Sequence, residues 1–372
     1  MKIVIAGDLT LQDRAARTIW KDHQLKKSFS DVKKELGKCD WAVVNLESPI
    51  TEANVPIIKD GPSLKNPMQV FDIIKYCGFK AVTLANNHLK DYGSVGVQDT
   101  LRNCKNSGID TVGAGVTISD ARIPLLLKTE NITIGILNVC EHESSIVTKT
   151  SAGANPLYFP NLFQDITDLR KNVDKIVVII HGGRENYQLP TPRMKREYRM
   201  IIDFGADIIV NHHQHCFSGY ELYKGKPIIY GLGNFFFDRV NCRNNKWNYG
   251  LLAEFDLCRD KIDFRLVPYE QCNDEAVVTV LDYECVREKI ESLNEIIKDD
   301  QMLEMEFERM VSSAKMLSPF IPFGNHLLRS LYYRGMLPNF ISKKNMALIE
   351  NYISCETHRE LLLHYFYNKN RR

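Results

Sequence analysis

Six of the ten histidines in the 372-residue chain fall among a few short polar clusters, in company with acids and amides. The clusters are Asp8, Glu47 in Asn45-Leu46-Glu47, Asn86-Asn87-His88, His181-Gly182-Gly183 and Asn211-His212-His213-Gln214-His215, with His142 close by. Carboxylate, amide and imidazole donors together suit a pair of borderline divalent ions such as manganese, zinc or iron. One carboxylate would bridge the pair, which would activate water and neutralise charge developing on a leaving group. A histidine outside the ligand set would protonate that group. Each cluster alone has a plainer explanation. Asp8 suits a helix cap, Glu47 a turn before Ser48-Pro49, Asn86-Asn87 a turn with positive φ, and His181 a hydrogen-bonded core position. Three imidazoles in the four residues from His212 to His215 are different: such a run reads as ligands. Taken together the clusters favour metal.

The elements that must position them are short β-branched strands at Ile3–Ala6, Trp41–Asn45, Ala81–Leu84, Ile132–Val139, Ile176–Ile180, Asp207–Asn211 and Pro227–Tyr230. Helix-length segments lie between several of them, at Met68–Tyr76, Gly96–Asn106, Leu162–Asn172 and Pro192–Phe204. That alternation predicts an α/β fold whose strands are buried on both faces. Sites in open α/β sheets form beyond the carboxyl ends of the strands, so the five clusters are expected to converge. Leu251–Leu257 and Ile262–Val267 follow in series and read as a hairpin closing one sheet. From Asp282 the period becomes helical, over Glu284–Lys298, Gln301–Lys315, Asn325–Tyr333 and Asn345–Tyr367, with Pro319 and Pro322 between the two pairs. Residues 1–270 are therefore expected to form the catalytic domain and 282–372 a helical C-terminal appendage.

Composition narrows the function classes. With 48 Lys+Arg against 46 Asp+Glu there is no electrostatic footprint for nucleic acid, and the basic end Asn368–Arg372 reads as a solvated tail. The ten cysteines include no Cys-x-x-Cys pair, so neither a zinc ribbon nor a disulfide framework is expected. The first apolar run, Met1–Ala6, has the length of a strand, and no run is long enough for a transmembrane segment. The expectation is a cytoplasmic protein.

Several motifs then resemble a known family. Gly7-Asp8, Val44-Asn45-Leu46-Glu47-Ser48-Pro49-Ile50, Leu84-Ala85-Asn86-Asn87-His88 with Asp91-Tyr92-Gly93, and Val112-Gly113-Ala114-Gly115 come in that family's order. His181-Gly182-Gly183-Arg184-Glu185, Gly205-Ala206-Asp207 with His212–His215, and Tyr230–Phe235 complete the series. The chain resembles the CapA family of poly-γ-glutamate capsule biosynthesis, itself similar to calcineurin-like metallophosphoesterases. The resemblance implies a β-sandwich flanked by helices and two divalent metal ions. It makes Asp8 the first carboxylate ligand, Glu47 the bridging carboxylate and Asn87 the amide ligand. His181, His213 and His215 become imidazole ligands, and His88 the general acid. His212 stands where phosphoesterases have glycine and is expected behind the ligands. Phosphoesterases have Asp-x-His at the first motif, whereas Asp8-Leu9-Thr10 leaves that ligand lost or replaced by Thr10 or water.

Two further segments are expected to reach the site. Glu141-His142-Glu143-Ser144, with Glu143 as the candidate substrate contact, follows the strand Ile132–Val139, and Arg184 and Glu185 follow His181. Arg184 would grip a phosphate or carboxylate, with a surface ion pair the competing explanation. Asn234 would orient a ligand histidine, or else belong with Asp238 to a turn. The expected activity is metal-dependent hydrolysis of a phosphoester or amide in an anionic capsule or cell-surface polymer, or in its phosphorylated precursor. Two alternatives stand beside it. One is a non-catalytic accessory or polymer-binding role with capsule-synthesis partners, docked through 282–372; the other is a degenerate site holding one structural metal.

Overall fold

The computed structural model describes residues 1–18, 22–59, 61–313 and 342–370. The chain first lays down β1 (Lys2–Thr10), β2 (Trp41–Leu46), β3 (Ala81–Thr83) and β4 (Asp110–Val112), side by side and parallel. The two-residue β5 (Ala114–Gly115) pairs with the later β8 (Gly153–Ala154). A second sheet is built from β6 (Leu125–Lys128), β7 (Thr133–Cys140), β9 (Lys175–His181), β10 (Ile208–His212), β11 (Tyr220–Tyr223) and β12 (Lys226–Ile229). Its order is β11-β12-β10-β9-β7-β6. The chain then returns to the first sheet. There β13 (Asn234–Phe237) pairs with the end of β1, and β14 (Tyr249–Leu257), β15 (Ile262–Gln271) and β16 (Val278–Val280) extend the order β16-β15-β14-β1-β2-β3-β4. The hairpin expected at 251–267 is β14–β15.

The two sheets face one another across a shared core, the β-sandwich flanked by helices that the sequence predicts. Side chains alternate across a strand. Ile3, Ile5, Val43 and Ala81 therefore join the core between the sheets, together with Val177, Ile179 and Val210. Their neighbours Val4, Ala6, Val44 and Val82 pack outward against Phe29 and Val32 of helix Asp22–Leu36 and Ile73 and Ile74 of helix Val70–Cys77. The second sheet is covered by Leu162 and Ile166 of helix Phe159–Arg170 and by Tyr198 and Ile201 of helix Pro192–Asp203, so both faces of β9 and β10 are apolar.

Helix Glu284–Lys298 buries Val286, Ile290, Leu293 and Ile297 in that same core. Helix Asp300–Ser313 follows it. The expected helix 325–333, Lys315, the two prolines and the last two basic residues lie outside the described residues. The single helix expected at 345–367 is two, Lys343–Ser354 and Glu356–Asn370, broken at Cys355, which is extended (φ −69°, ψ 126°). The break has a tertiary cause: Cys355 and Thr357 both reach the buried Glu141, at 3.5 Å through Sγ and 2.8 Å through Oγ1. Among the described residues no helix is long and apolar enough to cross a membrane.

Candidate metal centre

All five polar clusters stand at carboxyl ends of strands, those of β1, β2 and β3 in one sheet and β9 and β10 in the other. The two rows meet where the sheets face. Gly7 makes the approach possible at β1: a Cβ there would lie 1.9 Å from the carbonyl oxygen of Gly233, which accepts the Asp8 amide at 3.1 Å. Asp8 follows, fully buried. Its Oδ1 accepts from Asn45 Nδ2 at 2.7 Å, and its Oδ2 accepts from the His213 amide at 3.3 Å.

Glu47 is also fully buried, and among the described residues neither carboxylate oxygen has a hydrogen-bond partner. Nearly all buried polar groups in folded proteins are satisfied, so a carboxylate with both oxygens bare calls for an explanation. His181 Nε2 and His215 Nε2 stand 3.7 and 3.6 Å from Glu47 Oε1. His181 Nε2 is in turn 3.1 Å from Asn87 Oδ1 and 3.1 Å from His213 Nδ1. Donor atoms thus gather in two groups, Glu47–His181–His213 and Asp8–Glu47–His215, and they share Glu47. The loop after β10 aims its imidazoles at a conformational cost, since His213 and His215 have φ of 89° and 55°, a region non-glycine residues seldom occupy.

Electrostatics follow the burial. Burial and the nearby Asp8 and Glu185 push Glu47 well above the ordinary carboxylate range. For Asp8 burial acts in the same upward direction, but His212, His181 and His215 outweigh it and hold the acid low. Burial pulls His181 well down and His213 down to about 4, so both imidazoles are neutral and fit to be ligands. Neutral His181 and His213 packed against an acid that accepts no hydrogen bond among the described residues could hold a metal ion.

Around these residues lie their supports. Asn234 opens β13 rather than closing a turn, and its Oδ1 is 2.9 Å from His215 Nδ1, while Trp247 stacks on the same imidazole at 4.6 Å. Asp238 is held by Arg14 and Arg243. His212 is buried with its Nδ1 3.4 Å from Asp8 Oδ1. Thr10 does not supply the missing first-motif ligand, because its hydroxyl is 2.7 Å from Ser48 Oγ and 3.4 Å from Asn66 Oδ1. His88 is buried beside the ligands, with Nδ1 2.7 Å from Asp91 Oδ2. Lys59 Nζ lies 2.5 Å from Asp91 Oδ1, so one carboxylate receives both.

Asn45, Asp91 and Lys59 are partners of the site that the sequence does not single out. His88-x-x-Asp91 was a legible signal, and Asn45 shares the face of Glu47 two residues on. Lys59 arrives from a distant loop and left none.

Two of the expected outer segments behave differently from the rest. Glu141 and His142 turn away from the ligands: Glu141 pairs with Arg193, and His142 Nδ1 is 2.5 Å from Glu356 Oε1. Glu143 remains half-buried on the Lys59 side, and burial pushes it up to about 8. Arg184 is half-buried and forms no ion pair among the described residues. Glu185 lies at the exposed mouth, where burial would raise it but His215, His213 and His88 hold it down to about 2.

The bacterial capsule synthesis protein family PGA_cap matches residues 2–239, a span that holds every ligand candidate above. The chain belongs to the PGA_cap family. Its similar curated relatives include the capsule biosynthesis protein CapA of Bacillus anthracis, 29% identical over 64% of this chain and 60% of that protein. The PGA biosynthesis protein CapA of Bacillus subtilis is 33% identical over 54% of each chain. A probable polyglutamine synthesis accessory protein of Mycobacterium tuberculosis is 30% identical over 41% of this chain and 43% of its own. The chain therefore spans less than two thirds of the length of these relatives. The calcineurin-like phosphoesterase YfkN of Bacillus subtilis is similar in structure, with a TM-score of 0.43 and 13% identity over 82% of this chain and 98% of that one.

Proposed function

We propose that this PGA_cap protein is a metal-dependent hydrolase acting on a phosphoester or amide of a capsule or poly-γ-glutamate precursor. The observation that carries the reading is Glu47: a buried carboxylate with two bare oxygens, common to two donor groups. Asp8, Glu47, Asn87, His181, His213 and His215 would hold two divalent ions, manganese, zinc or iron. Bound there, the pair supplies Lewis-acid activation of water and compensation of negative charge.

The protein's own residues do the rest. Asn45 and the His213 amide fix both oxygens of Asp8, and Asn234 and Trp247 fix the ring of His215. His88 Nδ1 faces Asp91 Oδ2 at 2.7 Å and Lys59 Nζ at 3.1 Å; donating to Asp91 would set its tautomer and leave Nε2 as the nitrogen that serves the substrate. Burial and the Lys59 charge lower the basicity of His88 against the pull of Asp91. An anionic substrate adds negative charge nearby, favouring the protonated ring that donates to the departing oxygen. Arg184, unpaired at the mouth, orients that substrate through its planar donors.

Elemental analysis of the purified protein tests the reading, expecting about two metal equivalents in the two-ion arrangement. Glu47→Gln and His213→Ala should both lower the content. With metal bound, His88→Ala should cut turnover of a phosphodiester probe by roughly two to four orders of magnitude. Absence of metal after soaking in each ion sinks the reading. Metal without turnover on any ester or γ-glutamyl amide moves the weight to an accessory role, which the description of the Mycobacterium relative favours.

A further inference from the structure

Beyond the family-matched residues, which end at 239, the chain adds a wall to the site. A cavity of about 290 Å³ opens between the loop carrying Lys59, the segment Glu143–Ser144 and the helix Lys343–Ser354. Its volume lies at the small end of ligand sites, enough for a single residue-sized group. It backs onto the metal centre through Lys59, whose ammonium sits on Asp91 next to His88. The helix that follows it, Glu356–Asn370, is anchored to the core: Thr191 donates to Glu360 at 2.6 Å, Thr357 donates to Glu141 at 2.8 Å, and Arg193 pairs with Glu141 and Glu360. His358 Nδ1 lies 3.1 Å from Asn351 Oδ1 and ties the cavity helix to it.

The charges lining the cavity select among ligands. Lys59 is neutralised by Asp91. Lys90 forms no ion pair among the described residues: its ammonium donates to the Ile146 carbonyl at 3.1 Å and to Ser151 Oγ at 2.7 Å, neutral acceptors that leave its charge uncompensated. On the other side Glu143 and Glu350 line the cavity without an ion pair among the described residues; Glu143 feels the Lys59 charge, and the Glu350 carboxylate suits an ammonium. Asn351 and Ser144 add amide and hydroxyl groups between the two poles, and Ile57 covers an apolar stem. A run of bare carboxylates would meet Glu350 and be repelled, whereas an ammonium would draw Glu143, held up by its burial, into its charged form. A single cation would leave Lys90 unanswered.

We propose that this cavity is a binding subsite for a zwitterionic α-amino-acid head group, its ammonium on Glu143 and Glu350 and its carboxylate on Lys90. In the context of the proposed function, the group is the free amino end of a γ-linked glutamate chain, held so that the bonds beyond it run past His88. That identity rests on the polymer reading above; the zwitterion chemistry rests on the cavity alone. The helix Lys343–Ser354 then gives this chain a specificity element outside the shared family region.

Calorimetry on the full-length protein, metal-depleted and metal-loaded, tests this with the dipeptide γ-glutamyl-glutamate as probe. Binding is expected in both states, with N-acetylation of the probe weakening it about 10- to 100-fold, the range for losing a charge-assisted contact. Glu350→Gln, on the exposed helix, and Lys90→Met should each weaken it by a similar factor without changing metal content. Equal affinity for the acetylated probe, no binding to either state, or unaltered affinity in both variants would overturn the proposal. Dipeptide binding by a protein that takes up no metal would uphold the subsite while removing the hydrolase.

Discussion

Two buried polar clusters sit side by side at the edge of the second sheet, and they are built to opposite specifications. One is the clamp formed by Glu141, Arg193, Thr357 and Glu360. The other is the strand-end group of Asp8, Glu47 and the histidines. In the clamp every charge is answered from within the chain. Arg193 pairs with Glu141, Glu197 and Glu360, and Glu141 also accepts from Thr357. In the strand-end group neither oxygen of Glu47 has a hydrogen-bond partner among the described residues. Glu141 and Glu47 are alike buried and unlike in satisfaction, which separates a cluster that holds the fold together from one arranged to receive something.

The clamp should therefore break hard when one member is removed. Arg193→Met should lower the free energy of unfolding by about 3–5 kcal/mol, because it strands buried carboxylates, and denaturant titration will show it. A loss under about 1 kcal/mol would mean the clamp is not a unit. Acid should loosen the same cluster. Burial would raise Glu141, but Arg193 and Thr357 hold it down to about 2 against an ordinary 4.5. A carboxylate lowered on folding contributes stability above its unfolded pKa and loses it as pH falls through the folded one. The wild type should thus weaken between pH 4.5 and about 2, by on the order of 3 kcal/mol, and Glu141→Gln should show a flatter acid limb.

The strand-end group should respond to metal instead. At free metal 100-fold above the dissociation constant, the wild type should gain about 2.7 kcal/mol of stability. Glu47→Gln should gain much less, while its metal-free form is no less stable than the metal-free wild type, since the carboxylate removed accepts no hydrogen bond among the described residues. A metal-free Glu47→Gln protein that unfolds more readily than its parent would assign Glu47 to the framework. The smallest effect belongs to Thr10→Val. Its hydroxyl bonds Ser48 and Asn66, so the change should cost about 1 kcal/mol and leave metal content alone. Loss of metal would return Thr10 to the ligand set.

The sequence by itself determined much of the first comparison's receiving half. Apolar runs ending in Asp8, Glu47, Asn87, His181 and His213 are local patterns, and strand-end convergence is a general property of such sheets. The order of the motifs carried the family. What the sequence did not display was which polar residues answer one another across the fold. Glu141 and Glu143 are two residues apart and equally acidic. One is claimed by Arg193 and Thr357, 52 and 216 positions away, and the other faces the Lys59 cavity. Lys59 meets Asp91 through a loop with no period to read. The helix expected at 345–367 broke at Cys355 because of a contact with Glu141, 214 residues earlier. Periodicity reports how a segment meets its neighbours along the chain. Partnerships of buried charge are decided by distances that exist only once the sheets and helices have packed.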